Sequence, residues 1–190
     1  EITLPARKLL DICRTLPEGA GLELTVEGDR ATLKSGRSRF TLATLPASEF
    51  PAVEAVQGLR SFEVEQAALR RLFEQTQFAM AHQDVRYYLN GLLMEFREEM
   101  LRAVGTDGHR LALCDVPAET GQGELGQVIV PRKGVVELQR LLDGGGPPAS
   151  VEVSTNHIRV GLAGMRFTSK LIDGRFPDYE RVLPKDSDKR

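Results

Sequence analysis

The 190-residue sequence has no apolar run approaching the roughly 18 residues that a membrane-spanning helix needs. It has only two cysteines, Cys13 and Cys114, both inside apolar-patterned segments. That argues against a disulfide-framed secreted module and predicts two reduced core thiols in a cytoplasmic protein. Its three histidines, at 82, 109 and 157, show no metal-ligand spacing. There is no glycine-rich nucleotide loop and no nucleophile elbow. Positive charge is not in excess either, since the formal net charge is −2. Taken alone, that speaks against nucleic-acid binding, but the distribution of charge matters more than its sum. The chain opens at Glu1 without an initiator methionine or signal peptide and closes on the polar run Asp186-Ser187-Asp188-Lys189-Arg190, which reads as a linker. What remains is 41% hydrophobic and 27% charged, the balance of an ordinary globular protein.

What is present is an echo. Pro131 to Pro177 restates Pro5 to Pro51, 126 residues further along. Each copy opens on proline and a basic pair, Pro5-Ala6-Arg7-Lys8 and then Pro131-Arg132-Lys133. Each passes through Arg-Phe-Thr (39–41, then 166–168) and closes on Phe-Pro. That distance is too long for a solenoid repeat and is the size of a domain.

Local patterning gives the elements. After Pro5, Ala6, Leu9, Leu10 and Cys13 recur at helical spacing, predicting a helix with those residues on its apolar face. Alternating runs follow at Leu22–Val26, Ala31–Ser35 and Arg37–Ala43. Residues 46–60 lack period and mark a boundary. Beyond it come a strand at Ser61–Val64, a helix with Leu69, Leu72, Phe73 and Thr76 on one face, and strands at Leu89–Phe96 and Met100–Thr106. Asp107-Gly108 reads as a tight hairpin into His109–Cys114. A loop at 121–126, a strand at Gln127–Val130 and a helix faced by Val135, Leu138 and Leu142 lead into strands at 150–154, 157–162 and 165–171. The second module is thus βα-βββ written twice, and the first piece is one further half-unit. The class is α+β with antiparallel sheets. The expected layout is a half-domain at 1–57, a linker at 58–60, a complete domain at 61–183 and a second linker at 184–190.

Charge is segregated onto the helices. Arg7, Lys8 and Arg14 outnumber Asp11; Arg70 and Arg71 outnumber Glu74; Arg132, Lys133 and Arg140 outnumber Glu137. Arg7 and Arg14 recur 126 residues later as Lys133 and Arg140, so both copies carry a cation on the same helical stripe. A solvated polar face and a surface around polyphosphate both fit this pattern.

The run His82-Gln83-Asp84-Val85-Arg86-Tyr87-Tyr88-Leu89-Asn90-Gly91 resembles the bacterial DNA polymerase III beta subunit family, the sliding clamps. So do Thr106-Asp107-Gly108-His109-Arg110-Leu111, Val130-Pro131-Arg132-Lys133-Gly134 and Asp173-Gly174-Arg175-Phe176-Pro177-Asp178-Tyr179. The resemblance covers essentially the whole chain. It implies a clamp fold, with repeated βαβββ half-units, sheets outside and helices on the inner face. It also implies a head-to-tail ring of two subunits, each with three copies of one domain, encircling duplex DNA as a non-catalytic processivity factor of the polymerase holoenzyme. On that reading this chain is the second half of domain one, all of domain two and a linker toward domain three. No cofactor, metal or membrane is implied.

The resemblance assigns three surfaces. DNA contact falls on His82, Gln83, Arg86, Tyr87 and Tyr88, with phosphate contacts from Arg7, Arg14, Lys133 and Arg140. The domain-two share of a pocket between domains two and three, for short linear peptides of the replicative polymerase, clamp loader and repair proteins, maps to Leu89, Thr106, Gly108, His109, Arg110, Leu111, Pro177, Arg181 and Val182. Its chemistry is an apolar wall with a polar rim. The subunit interface maps to Lys8, Arg30, Arg37, Arg39, Phe40 and Leu42. From the residues alone, each has a plainer reading: a strand lead-in, a hairpin turn and a charged sheet edge. The competing class is a metal-dependent phosphoester-processing enzyme using Asp107 and His109, or the carboxylates of Asp173 and Asp178.

Overall fold

The computed structural model describes residues 1–50, 60–122 and 126–184. The chain divides into two compact units, 1–54 and 55–190. The expected boundary falls mostly on 51–59, and part of the expected 121–126 loop on 123–125, outside the described residues.

In the first unit, β1 (Ile2–Thr3) leads into α1 (Ala6–Thr15), then β2 (Glu23–Glu27), β3 (Arg30–Ser35), β4 (Ser38–Ala43) and β5 (Leu45–Pro46). Antiparallel pairing orders one sheet β2-β3-β4, and β1 pairs with β5. Two-residue turns join β2 to β3 and β3 to β4, with Gly28 and Gly36 at positive φ, as such tight hairpins require. Leu16 turns extended just before Pro17, which ends α1. The small core is Ile12, Leu33 and Leu42, backed by Leu4, Leu9 and Phe40. This corrects the expected face of α1. Leu9 and Ile12 point inward, while Leu10 and Cys13 lie on a side that nothing in the unit covers. Only Cys114 is a buried thiol.

The second unit runs β6 (Arg60–Val64), α2 (Gln66–Thr76), β7 (Gly91–Arg97), β8 (Met100–Thr106), β9 (Leu111–Pro117), β10 (Gln127–Pro131), α3 (Arg132–Leu141), β11 (Ala149–Val153), β12 (His157–Leu162) and β13 (Met165–Lys170). This is βα-βββ twice, in two antiparallel sheets ordered β10-β7-β8-β9 and β13-β12-β11-β6. Leu69, Leu72, Phe73 and Thr76 are the buried face of α2, and Val135 and Leu138 that of α3. Leu69, Leu72, Phe73, Val135 and Leu138 share one core with Leu92, Met94, Phe96 and Leu101 of the first sheet and Val151, Ile158 and Val160 of the second.

The first sheet is buried on both faces, so β7 reads as an unbroken apolar run, Leu92-Leu93-Met94. Its far side carries a second cluster of Leu93, Val104 and Ile129. This is covered by Leu89 from the loop before β7 and by Phe176 and Tyr179 from the segment after β13. Two connections differ from expectation. The strand expected from Leu89 begins at Gly91, after a single 3₁₀ turn at Tyr87–Leu89. There the Asn90 amide brackets Asp84, donating to its carbonyl (2.8 Å) and accepting from its N–H (2.9 Å). The hairpin at Asp107 has four residues rather than two, and β9 starts at Leu111. The Asp107 carboxylate accepts from the N–H groups of His109 (2.9 Å) and Arg110 (3.0 Å), closing an Asx turn in place of further pairing.

Candidate partner pocket and nucleic-acid surface

The loop before β7, the β8–β9 hairpin and the segment after β13 meet around a cavity of about 400 Å³. Leu89, Thr106, Gly108, His109, Arg110, Leu111, Pro177 and Val182 all line it. Arg181, also expected there, instead points into solvent and pairs with Asp178 at 2.7 Å. Arg86, Tyr88, Asp178 and Tyr179 line it in addition.

Each wall is fixed from behind. Thr106 Oγ1 donates to the Arg110 carbonyl (2.7 Å) and accepts from the Gly108 N–H (3.1 Å). Gly108 sits at φ +88°, and a Cβ there would come within 2.9 Å of the Arg86 guanidinium. Arg86 grips Asp84 through Nε (3.0 Å) and Nη2 (2.8 Å), and Nη2 also reaches the Asp107 carbonyl (3.1 Å). This hydrogen bonding from Arg86 lowers the Asp84 pKa to about 2. The carboxyl of Asp107 is lowered by the N–H groups of His109 and Arg110.

The third wall hangs on Tyr179, which is buried. Its hydroxyl donates to Glu95 Oε2 (2.6 Å) and accepts from Arg102 Nη1 (3.3 Å). Arg102 is itself held by both oxygens of Asp115 at 2.6 and 2.7 Å. Burial raises the Tyr179 pKa, so the hydroxyl keeps its proton as a donor. No local pattern announces this residue, because its partner Glu95 is 84 positions away.

The expected nucleic-acid residues separate into two groups. His82, Gln83 and Tyr87 are exposed on the loop closed by the Ala81 N–H donating to the Leu89 carbonyl (3.0 Å). Gln83 adopts φ +57°, and Val85 at the tip is 96% exposed. Tyr88 is half-buried, edge-on to Tyr87, and with Arg86 faces the pocket. Lys133 and Arg140 lie exposed on α3, Arg140 sharing its charge with Glu137 (3.1 Å). Arg140 and Arg70 line one groove between α3 and α2. Arg7 and Arg14 are exposed on α1, in the other unit.

In that first unit β4 is a sheet edge. Lys8, Arg30, Arg37 and Arg39 are exposed, whereas Leu42 is buried and Phe40 half-buried in the unit's own core. The geometry does not favour the enzyme reading. Asp107 is engaged in closing its turn and in pairing with Arg110 (3.1 Å), Asp178 pairs with Arg181, and no metal-competent cluster of three His, Cys, Asp or Glu occurs among the described residues.

Comparison with known proteins settles the family. Residues 1–54 match the profile of the DNA polymerase III beta subunit N-terminal domain, and residues 63–178 match that of its central domain. The chain belongs to the DNA polymerase III beta subunit family. The beta sliding clamp of Salmonella typhimurium is 57% identical over 187 residues, covering 98% of this chain and 51% of the relative. The crystal structure of the Pseudomonas aeruginosa beta subunit superimposes with a TM-score of 0.91 at 53% identity, covering 98% of this chain and 51% of that one. A second Pseudomonas aeruginosa structure, of the clamp bound to griselimycin, matches at 0.91 and 52% with the same coverage. The chain therefore has the clamp fold and spans about half the length of these relatives. No helix among the described residues is long and apolar enough to cross a membrane.

Proposed function

We propose that this chain is part of a non-catalytic DNA sliding clamp, acting in the cytoplasm as a processivity factor for a replicative DNA polymerase. On this reading residues 1–57 are half of the first domain, 61–183 the second domain, and 58–60 and 184–190 linkers. The observation that carries the proposal is the pocket. Leu89, Leu111, Pro177 and Val182 offer an apolar wall, with His109 and Arg110 at the rim, in a protein 57% identical to a beta sliding clamp. Such a wall suits the apolar anchors of a short linear peptide from the polymerase, the clamp loader or a repair protein. Arg86 and Tyr88 join this pocket, leaving His82, Gln83 and Tyr87 as the loop's main DNA contacts, with phosphate contacts from Arg7, Arg14, Lys133 and Arg140. The exposed cations Lys8 on α1, Arg30 on β3, Arg37 in the β3–β4 turn and Arg39 on the edge strand β4, with Phe40 and Leu42 packed in the core behind them, serve a head-to-tail subunit interface.

The full-length protein tests this directly. A fluorescent peptide with apolar anchors should bind in anisotropy titrations. Leu111→Glu with Val182→Glu should abolish binding while the ring stays intact in ultracentrifugation. Unchanged peptide affinity in that variant sinks the pocket assignment. DNA retention should fall with salt and show no sequence preference.

A further inference from the structure

Next to the pocket stands an aromatic side chain that the reading above does not use. Phe78 lies in the 3₁₀ turn Gln77–Ala79 that follows α2 and is 54% exposed. It is not a loose end. Thr76, Ala79 and Met80 around it are buried, and the turn packs onto β8 so closely that a Cβ at Gly105 would lie 2.5 Å from the Thr76 carbonyl. The chain therefore holds a large apolar ring outward on a rigid base. Single exposed apolar residues are common on protein surfaces, so exposure alone decides nothing.

Two further observations give this ring a direction. The Arg110 guanidinium lies over it, 5.9 Å from the centroid, and Arg110 also lines the pocket. Phe78 is thus the next surface beyond the pocket rim, joined to it by one side chain. Arg110 is fixed at its backbone by Thr106 and Asp107, and its Nε pairs with Asp107 at 3.1 Å. Its two terminal nitrogens hydrogen-bond to no other described residue, and the side chain is 59% exposed. A guanidinium with an open fork above a half-exposed ring is complementary to a carboxylate beside an apolar side chain.

We propose that Phe78 and Arg110 form a flank subsite, continuous with the pocket, which takes an acidic residue and an adjacent apolar residue just outside the anchor segment of the bound peptide. The carboxylate engages the Arg110 fork, and the apolar side chain covers the exposed part of the Phe78 ring. This rests on the pocket reading and adds a specificity element to it. Partners carrying an acidic-apolar flank are favoured over partners with the same anchors alone.

The test uses the full-length protein and two labelled peptides in anisotropy titrations. One carries the apolar anchors only; the other is extended by Asp-Phe, tried at either end. The extended peptide should bind wild-type protein about tenfold tighter, the scale of one charge-assisted contact plus apolar cover. Phe78→Ala should remove most of that gain while leaving the anchor-only peptide within about twofold of wild type. Phe78→Tyr, which keeps the ring, should keep the gain. Equal affinity of the two peptides at both ends, or a gain that survives Phe78→Ala, overturns the subsite. So does a Phe78→Ala variant whose only defect is in DNA retention or ring stability, which would give the ring to DNA or to the rest of the protein. If the anchor-only peptide binds and the extension adds nothing, the flank fails alone. If neither peptide binds wild type, the pocket reading fails and takes the flank with it.

Discussion

The two units contain the same half-unit in different company. Leu24 on β2 pairs with Leu33, and Val151 on β11 pairs with Val160, at equivalent places in the two copies. Yet Leu24 is 48% exposed and Val151 is 0% exposed. The difference lies in the neighbours. β2 is a sheet edge, while β11 has β6 on its other side and a second half-unit packed across the shared core. One βαβββ module cannot cover its own apolar surface, whereas two modules cover each other. The helices repeat the lesson. Leu9 and Ile12 of α1 correspond to Val135 and Leu138 of α3, and in both copies this pair points inward. Only in the second unit does it meet a core of full depth.

That contrast can be broken most directly by separating the units. Residues 55–190 produced alone should unfold in urea in one cooperative transition. Residues 1–54 alone should show no sigmoidal transition by circular dichroism, being too small to bury a sufficient core. A cooperative transition in the isolated first unit would contradict the argument from packing. At the level of single residues, Leu138→Ala in the second unit should cost about 2–5 kcal/mol, because it removes a buried side chain and leaves a cavity. Leu24→Ala should change stability by no more than about 0.5 kcal/mol. Denaturant titrations of both variants in 1–190 would show whether the exposed strand is as dispensable as its surroundings imply.

Within the second unit, the pocket walls differ in how they are tied, and two smaller effects sharpen that difference. Tyr179→Phe removes a buried hydroxyl that links Glu95 to Arg102, so a loss of about 1–3 kcal/mol is expected. Hydrogen exchange at residues 177–183 should rise more than at β8 if the hydroxyl anchors that wall. The Asp84–Arg86 tie is exposed and gives a spectroscopic signature rather than a large stability change. The folded-state pKa of Asp84, about 2, lies below the usual 3.8. The contribution of this pair is therefore fully present above the unfolded value and is lost as pH falls from 3.8 toward 2. Carboxyl chemical shifts should titrate near 2 in wild type and move up toward 3.8 in Arg86→Ala.

Much of this was legible from residue order. The element sequence βα-βββ-βα-βββ and the buried face of α2 follow from periodicity, because each helix and strand buries one side of a regular pattern. The face of α1 misled for a physical reason. Leu10 and Cys13 continue an apolar stripe, but only contact with Leu33 and Leu42 selects Leu9 and Ile12. The echo held the missing signal, since Val135 and Leu138 lie 126 positions beyond that pair. The hairpin at Asp107 ran longer than its dipeptide suggested, because a carboxylate closing on two N–H groups competes with strand pairing. Tyr179 and the pocket side of Arg86 were illegible for another reason. Their roles come from segments that meet only when the sheet is covered from both sides, and no local window records such meetings.

The covered outer face of the first sheet also has a temporal meaning. The β8–β9 hairpin leaves a ribosome well before Pro177, Tyr179 and Val182 do. Contacts between distant segments form late, after the chain that joins them has been ordered. A nascent or half-folded molecule therefore displays the hairpin and its arginines but has no third wall. If the pocket takes a peptide as proposed, this unit's share of the site is complete only after the stretch from Pro177 to Val182 docks.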